Sequence, residues 1–314
     1  MVGIITTPNR RLAQWRVKCL IEHSTSNQLG GTLIILCSEI RHCAKPPGVS
    51  TNFMTTTLRH ITIIILTTFL FGQTFAQDTA TTDFYAKIKN YDLSTILTAD
   101  SFLAEDREDS KDKIKRAEIL GFIGNDYQRL FIHFISVIQN PTNPYEYLVY
   151  GKTMVKETIC SFQGTITIKE ARIFKSGDIP VYEQGFATCD VILYEDKKQP
   201  STGFFRGKLT SNFIIDNKGQ FRYDALMFVA DGFANNQFVG NWTSYKTNTS
   251  KKCNWGDYRI PESGDLDIGA GEFSVNEKYV KNGWLSYMLE NMSPNEAIVK
   301  PKVDKKAENR KWWE

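Results

Sequence analysis

From Tyr127 to Lys246 the sequence alternates β-rich runs with turn formers, and no helical period interrupts it. The runs are Tyr127 to Ile138, Tyr145 to Val155, Thr158 to Ile173, Cys189 to Glu195, Gly203 to Ile215, Gln220 to Val229 and Gln237 to Lys246. The first is rich in aromatic and β-branched residues and stops at the turn from Asn140 to Pro144. Lys156 and Glu157 form a hairpin tip between the second and third, and Asp216 to Gly219 (DNKG) forms another. Strands spaced this closely pair with their sequence neighbours. The expectation is an all-β fold: an antiparallel up-and-down barrel of about seven to nine strands over residues 119–262, with a β-sandwich as the alternative.

A short repeat supports closure of that sheet. Phe162-Gln-Gly164-Thr-Ile166, Phe205-Arg-Gly207-Lys-Leu209 and Phe238-Val-Gly240-Asn-Trp242 share the pattern Phe-x-Gly-x-apolar, so all three marked residues face one side of their strand. Glycine weakens a strand unless the sheet bends or another backbone approaches closely, and closing a barrel requires both. Gly164, Gly207 and Gly240 are therefore assigned a structural role.

The segment Phe238 to Tyr245 (FVGNWTSY) resembles the Gly-x-Trp strand of the calycin superfamily, the lipocalin, fatty-acid-binding and avidin-like barrels. Those families carry the motif in their first strand, whereas here it lies in the last run. The resemblance implies a calycin-like barrel, a small and mainly apolar ligand held inside it, and Gly240 and Trp242 as a barrel-closing pair.

The flanks read differently. Residues 77–118 form a partly solvated lead-in, with a short helix around Leu93 to Leu97. Residues 104–118 hold 11 charged side chains in 15, of both signs, which predicts a solvated loop or exposed helix. Residues 263–293 are a glycine-rich segment and one short amphipathic helix from Glu277 to Asn291, with Val280, Trp284 and Met288 on its apolar face. From 294 to 314 lysines alternate with acids, the composition of a disordered tail.

Upstream, Met54 opens a three-part layout: a basic flank at Arg59 and His60, an apolar run from Ile61 to Phe71, and Thr74 and Ala76 as small residues before a cut ahead of Gln77. The run is far shorter than the roughly 20 residues that span a bilayer. Residues 54–76 are thus read as a cleaved signal peptide, and residues 1–53 as preceding a translation start at Met54 and absent from the mature protein. No cysteine follows the cut, so no lipid anchor is expected, and the mature chain is placed in the periplasm or outside the cell. The whole chain has a net charge of +3; residues 1–76 hold 7 Lys/Arg and 2 Asp/Glu, so removing them leaves 31 − 33 = −2. Nothing in that balance points to nucleic acid.

The mature region keeps Cys160, Cys189 and Cys253 and a single histidine, His133. One histidine excludes HExxH and other two-histidine chemistry within one chain. No Gly-x-Ser-x-Gly elbow is present, and the cysteines carry no catalytic motif, so no catalytic residue is assigned. In an up-and-down meander, Cys160 and Cys189 each start a strand and lie at opposite ends, leaving Cys189–Cys253 as the candidate disulfide. Asp265, Asp267 and Glu272, set around a glycine turn, offer oxygen ligands for Ca²⁺, or else a solvated acidic turn. Trp242, Trp255, Tyr258 and Trp284 are candidate ligand-binding aromatics, with core packing as the alternative.

Three functions of different class follow: a binding module for a small apolar molecule or a glycan, which leads; a hydrolase using paired carboxylates, as glycosidases do; and a surface protein that binds a partner without a ligand. An empty apolar interior favours the first, facing carboxylates the second, and an interior filled by side chains the third.

Overall fold

The computed structural model describes residues 80–105, 111–291 and 311–314. The expected signal peptide and cleavage site, the expected start at Met54 and most of the expected tail lie outside the described residues.

Among the described residues, twelve strands carry the fold. They are β1 (Thr81–Asp83), β2 (Ser101–Glu105), β3 (Lys111–Lys115), β4 (Leu120–Ile123), β5 (Gln128–Asn140), β6 (Asn143–Val155), β7 (Thr158–Phe174), β8 (Glu183–Glu195), β9 (Gly203–Ile215), β10 (Phe221–Tyr223), β11 (Asn235–Ser244) and β12 (Ser250–Asp257). Two short helices, α1 (Tyr85–Ile88) and α2 (Ser94–Leu97), precede the main sheet, and α3 (Leu285–Glu290) follows it. Strands β4, β5, β6, β7, β8, β9, β11 and β12 pair in that order, all antiparallel, and β12 pairs back onto β4. The result is a closed ring of eight strands, an up-and-down all-β architecture with no free edge within the ring. No helix among the described residues is long and apolar enough to cross a membrane.

The alternation that predicts the strands also decides what they bury. In β8 every second residue from Gly185 to Glu195 is buried, and these point into the ring. Phe162, Phe205, Phe238 and Trp255 fill the interior together with Leu130, Ile166, Val191 and Leu209. Phe238 and Trp255 stack with ring centroids 3.6 Å apart and planes within 9°. A second apolar cluster, including Leu120, Phe122, Phe273 and Trp284, lies apart from that interior, under the C-terminal segment. All four residues of β4 are buried, so this strand is sandwiched between the two clusters.

Several expectations are corrected. The charged lead-in is not a loop or helix throughout: Ser101–Glu105 and Lys111–Lys115 pair as a two-stranded hairpin. The run Gln220 to Val229 yields only the three residues of β10, because Asp224 turns the chain, accepting the Leu226 N–H at 3.1 Å. Strand β8 begins at Glu183, six residues before Cys189, and β4 and β12 close the ring on both sides of the expected meander. The helix from Glu277 is split: a 3-10 turn, Glu277–Asn282, ends at Gly283 with φ +92°, and α3 starts beyond it. That backbone conformation is open to glycine and strained for an L residue. Finally, within the last four residues Trp312 is buried at 6% exposure and Trp313 is half-buried, while Lys311 and Glu314 are exposed.

Candidate functional site

Near the C-terminal end of β12 a buried polar knot ties α2, β11 and β12 together. The Arg116 guanidinium donates to both Asp257 carboxylate oxygens at 2.9 Å and to the Leu97 carbonyl at 2.7 Å, which collects an otherwise orphaned carbonyl of α2. Asp257 also accepts from Tyr223 Oη at 3.1 Å and Asn236 Nδ2 at 2.7 Å. Burial works against the charge on Arg116, and the Asp257 carboxylate outweighs it, holding the guanidinium above its ordinary range. Tyr223 is pushed well up by burial and then by the Asp257 charge. A buried pair satisfied on this many sides fixes geometry more than it adds stability.

Against this knot opens a cleft of about 980 Å³. One wall is a triad of mutually edge-on aromatics: Phe228 to Phe233 at 5.0 Å, Phe228 to Tyr258 at 5.1 Å and Phe233 to Tyr258 at 5.4 Å between centroids. Two bulky residues hold this wall in the left-handed backbone region, Tyr258 at φ 63° and Met227 at φ 58°. Such conformations cost about 1–3 kcal/mol each and persist only where surrounding structure imposes them, a pattern concentrated at ligand sites. On another wall the His133 ring lies under Trp313, 3.7 Å away and within 10° of parallel. Burial, then the Arg116 charge, lowers His133 to about 4, with Asp100 acting the other way. Burial likewise raises Tyr258 to about 12. Charge of both signs reaches the cleft through Lys115, Arg116 and Arg259 and through Asp100, Asp231 and Glu272. Arg259 is held in place by Asp267 at 2.7 Å and by the carbonyls of Gly269 and Gly271.

The residues singled out from the sequence are not gathered here. Of the four candidate aromatics only Tyr258 lines the cleft. Trp255 is buried in the ring against Phe238, and Trp284 is buried in the second cluster, donating to the Tyr127 carbonyl at 2.7 Å. Trp242 donates its indole N–H to Glu195 at 2.8 Å, beside donations from Thr153 Oγ1 at 2.7 Å and Gly203 N at 2.8 Å. Cys160, Cys189 and Cys253 are all buried thiols without a disulfide. Cys189 lies within β8 rather than at its start, and β9 and β11 separate it from Cys253, which removes the geometric basis for that pair. Burial raises Cys160 to about 11 and Cys189 to about 12, as expected of inert core thiols.

The acidic turn is also occupied from within. Asp267 accepts from Arg259, Gly269 N and Ser274 N, while Asp265 pairs with Lys278 and Tyr279. Among the described residues no group of three His, Cys, Asp or Glu side chains is placed to hold a metal ion. Arg116, Asp257, Phe228, Phe233 and Trp313 escape a sequence reading because their partners are remote: Arg116 and Asp257 are 141 residues apart. The one usable signal was the aromatic density of the stretch ending at Tyr258.

A scan against family models, and searches of curated proteins and of solved structures, match nothing.

Proposed function

We propose that this chain is an exported binding module whose ligand, a glycan, sits in the cleft beside the Arg116–Asp257 knot and not inside the ring. The observation that carries this reading is the cleft wall: three edge-on aromatics held by two strained residues, facing charged and hydrogen-bonding groups. A sugar ring has apolar faces for aromatic contact and hydroxyls for polar groups around them, which fits a wall of this kind. The ring interior is filled by Phe162, Phe205, Phe238 and Trp255, so an apolar guest would have to displace core side chains. The Gly-x-Trp likeness to calycins is kept in this proposal for architecture alone. Export rests on the signal-peptide layout of residues 54–76.

Titration with a panel of neutral and acidic oligosaccharides, followed by saturation-transfer NMR, tests the reading against a long-chain fatty acid as apolar probe. Saturable sugar binding, weakened about tenfold by Tyr258→Ala and by Phe228→Leu, is the expected result, about 1.4 kcal/mol for each lost aromatic contact. Saturable binding of the fatty acid with none of the sugars would reject it.

A further inference from the structure

The outer face of the β5–β6 pair is half covered, and the covering segment comes from the same chain. Lys311–Glu314 lies across it: Trp312 packs edge-on to Phe131 with centroids 6.0 Å apart, and Trp313 stacks on His133. Lys152, the register partner of His133, donates its ammonium to the Trp313 carbonyl at 2.5 Å. Each contact type is general for peptides: an indole against an aromatic wall, a ring on a flat imidazole, and a cation on a main-chain carbonyl. Nothing in it requires that the tetrapeptide belong to this chain.

The same two strands continue past this seat with a second set of apolar residues. Ile138 and Leu148 are register partners at 61% and 47% exposure, next to Tyr150 at 44% and Ile135 at 43%. Scattered exposed apolar residues need no explanation, but these four sit together on two adjacent strands and continue a strip whose other half is occupied.

We propose that the outer face of β5–β6 is a docking strip for an extended, aromatic-bearing peptide segment of a partner protein, and that Lys311–Glu314 is its resident intramolecular occupant. The seated tetrapeptide states the chemistry: aromatic side chains facing the strip and a carbonyl presented to Lys152. The exposed half with Ile138, Leu148 and Tyr150 lengthens the contact available to a partner beyond what the tetrapeptide uses. An intramolecular occupant competes at high effective concentration, so an incoming segment must displace it or be longer. This inference does not depend on the cleft ligand, although Trp313 borders both surfaces.

The test uses the full chain and a fluorescein-labelled peptide of residues 307–314, measured by anisotropy, with NMR shifts of the His133 and Lys152 side chains as the site readout. In Trp312→Ala/Trp313→Ala the seat is vacated, and the peptide should bind at least tenfold more tightly than to the wild-type chain. Leu148→Lys added to that variant should weaken a longer probe, the same peptide followed by Leu-Tyr-Leu, and leave the short one unchanged. Equal binding to the wild type and the double variant, with unchanged unfolding midpoints, would overturn the proposal. So would concentration-dependent dimerisation of the double variant on sedimentation, which would make a second copy the occupant. Sugar binding retained in the double variant alongside failed peptide binding would reject the strip and spare the cleft.

Discussion

At the scale of single residues, Glu195 shows how a strand's alternation can force a charged side chain inward. It is the last inward position of β8, in phase with Cys189, Val191 and Leu193, and it is buried, with no basic side chain among the described residues bonded to it. Its carboxyl instead accepts from Thr153, Gly203 and Trp242, linking β6, β8, β9 and β11 at that end of the ring. Burial raises its pKa against those three donors. An acid raised in the folded state binds its proton more tightly there, so its contribution is present at low pH and is lost as pH rises. Glu195→Gln keeps an acceptor for Gly203 and Trp242 and offers Thr153 a donor. Its urea midpoint should match the wild type at pH 4 and exceed it increasingly toward pH 8; a variant less stable at every pH would show that the ionised carboxylate is what the donors require.

At the scale of elements, the strand glycines are the clearest case of structure legible in sequence. Gly207 and Gly240 are direct register partners, and a β-carbon on either would lie 2.3 or 2.4 Å from a backbone oxygen and within 2.6 Å of the Phe238 ring tip. The Phe238 phenyl thus lies over this facing pair of glycines, while Phe162 of the first copy lies against Gly151 instead, so one contact does not account for the whole repeat. Gly164 is equally closed, with the Ile192 carbonyl in the way. Gly240→Val should therefore lower stability by more than the roughly 1–3 kcal/mol of ordinary overpacking, since backbone gives way less easily than side chains. Gly219, in a turn with nothing within 4 Å, serves as the open-space control for a clash, though its φ of +75° brings strain of its own. A Gly240→Val midpoint equal to the wild type would reduce the repeat to coincidence. Strand existence and phase were legible because alternation encodes them; β4 was not, because Leu120 to Ile123 is buried on both faces and carries no alternation. The cleft was barely legible, since its walls come from α2, β5, the turn at 227–233 and the last residues, which no local pattern brings together.

At the scale of the whole molecule, the half-buried His133 and the buried Asp224 act on the pH dependence in opposite senses, and Glu195 shares the sense of Asp224. His133 is lowered to about 4, so the folded state favours its neutral form; that contribution is complete above the unfolded value near 6.5 and is lost as pH falls toward 4. Arg116, Lys152 and Lys311 face it with positive charge and Asp100 with negative. Asp224 is raised to about 6 by burial, despite hydrogen bonds from Gln184 and the Leu226 N–H, and Asp178 adds to the rise. Its contribution has the opposite sense: present below about pH 4, lost as pH rises through 6, and worth about 2 kcal/mol over that window. The two windows overlap, so the wild-type stability curve between pH 4 and 6.5 should be flatter than either group alone would make it. His133→Phe preserves a ring under Trp313 and removes the acid limb, leaving stability that falls from pH 4 to 6.5. Asp224→Asn removes that acid's share of the opposing limb while Glu195 keeps its own, so its slope is more positive than the wild type's over the same range, with a constant offset because the amide replaces one acceptor by a donor. Urea midpoints at half-unit pH steps for the three proteins separate offset from slope. A slope below the wild type's in His133→Phe and above it in Asp224→Asn is the expected outcome, and parallel curves would mean that neither group titrates within the folded state in this range.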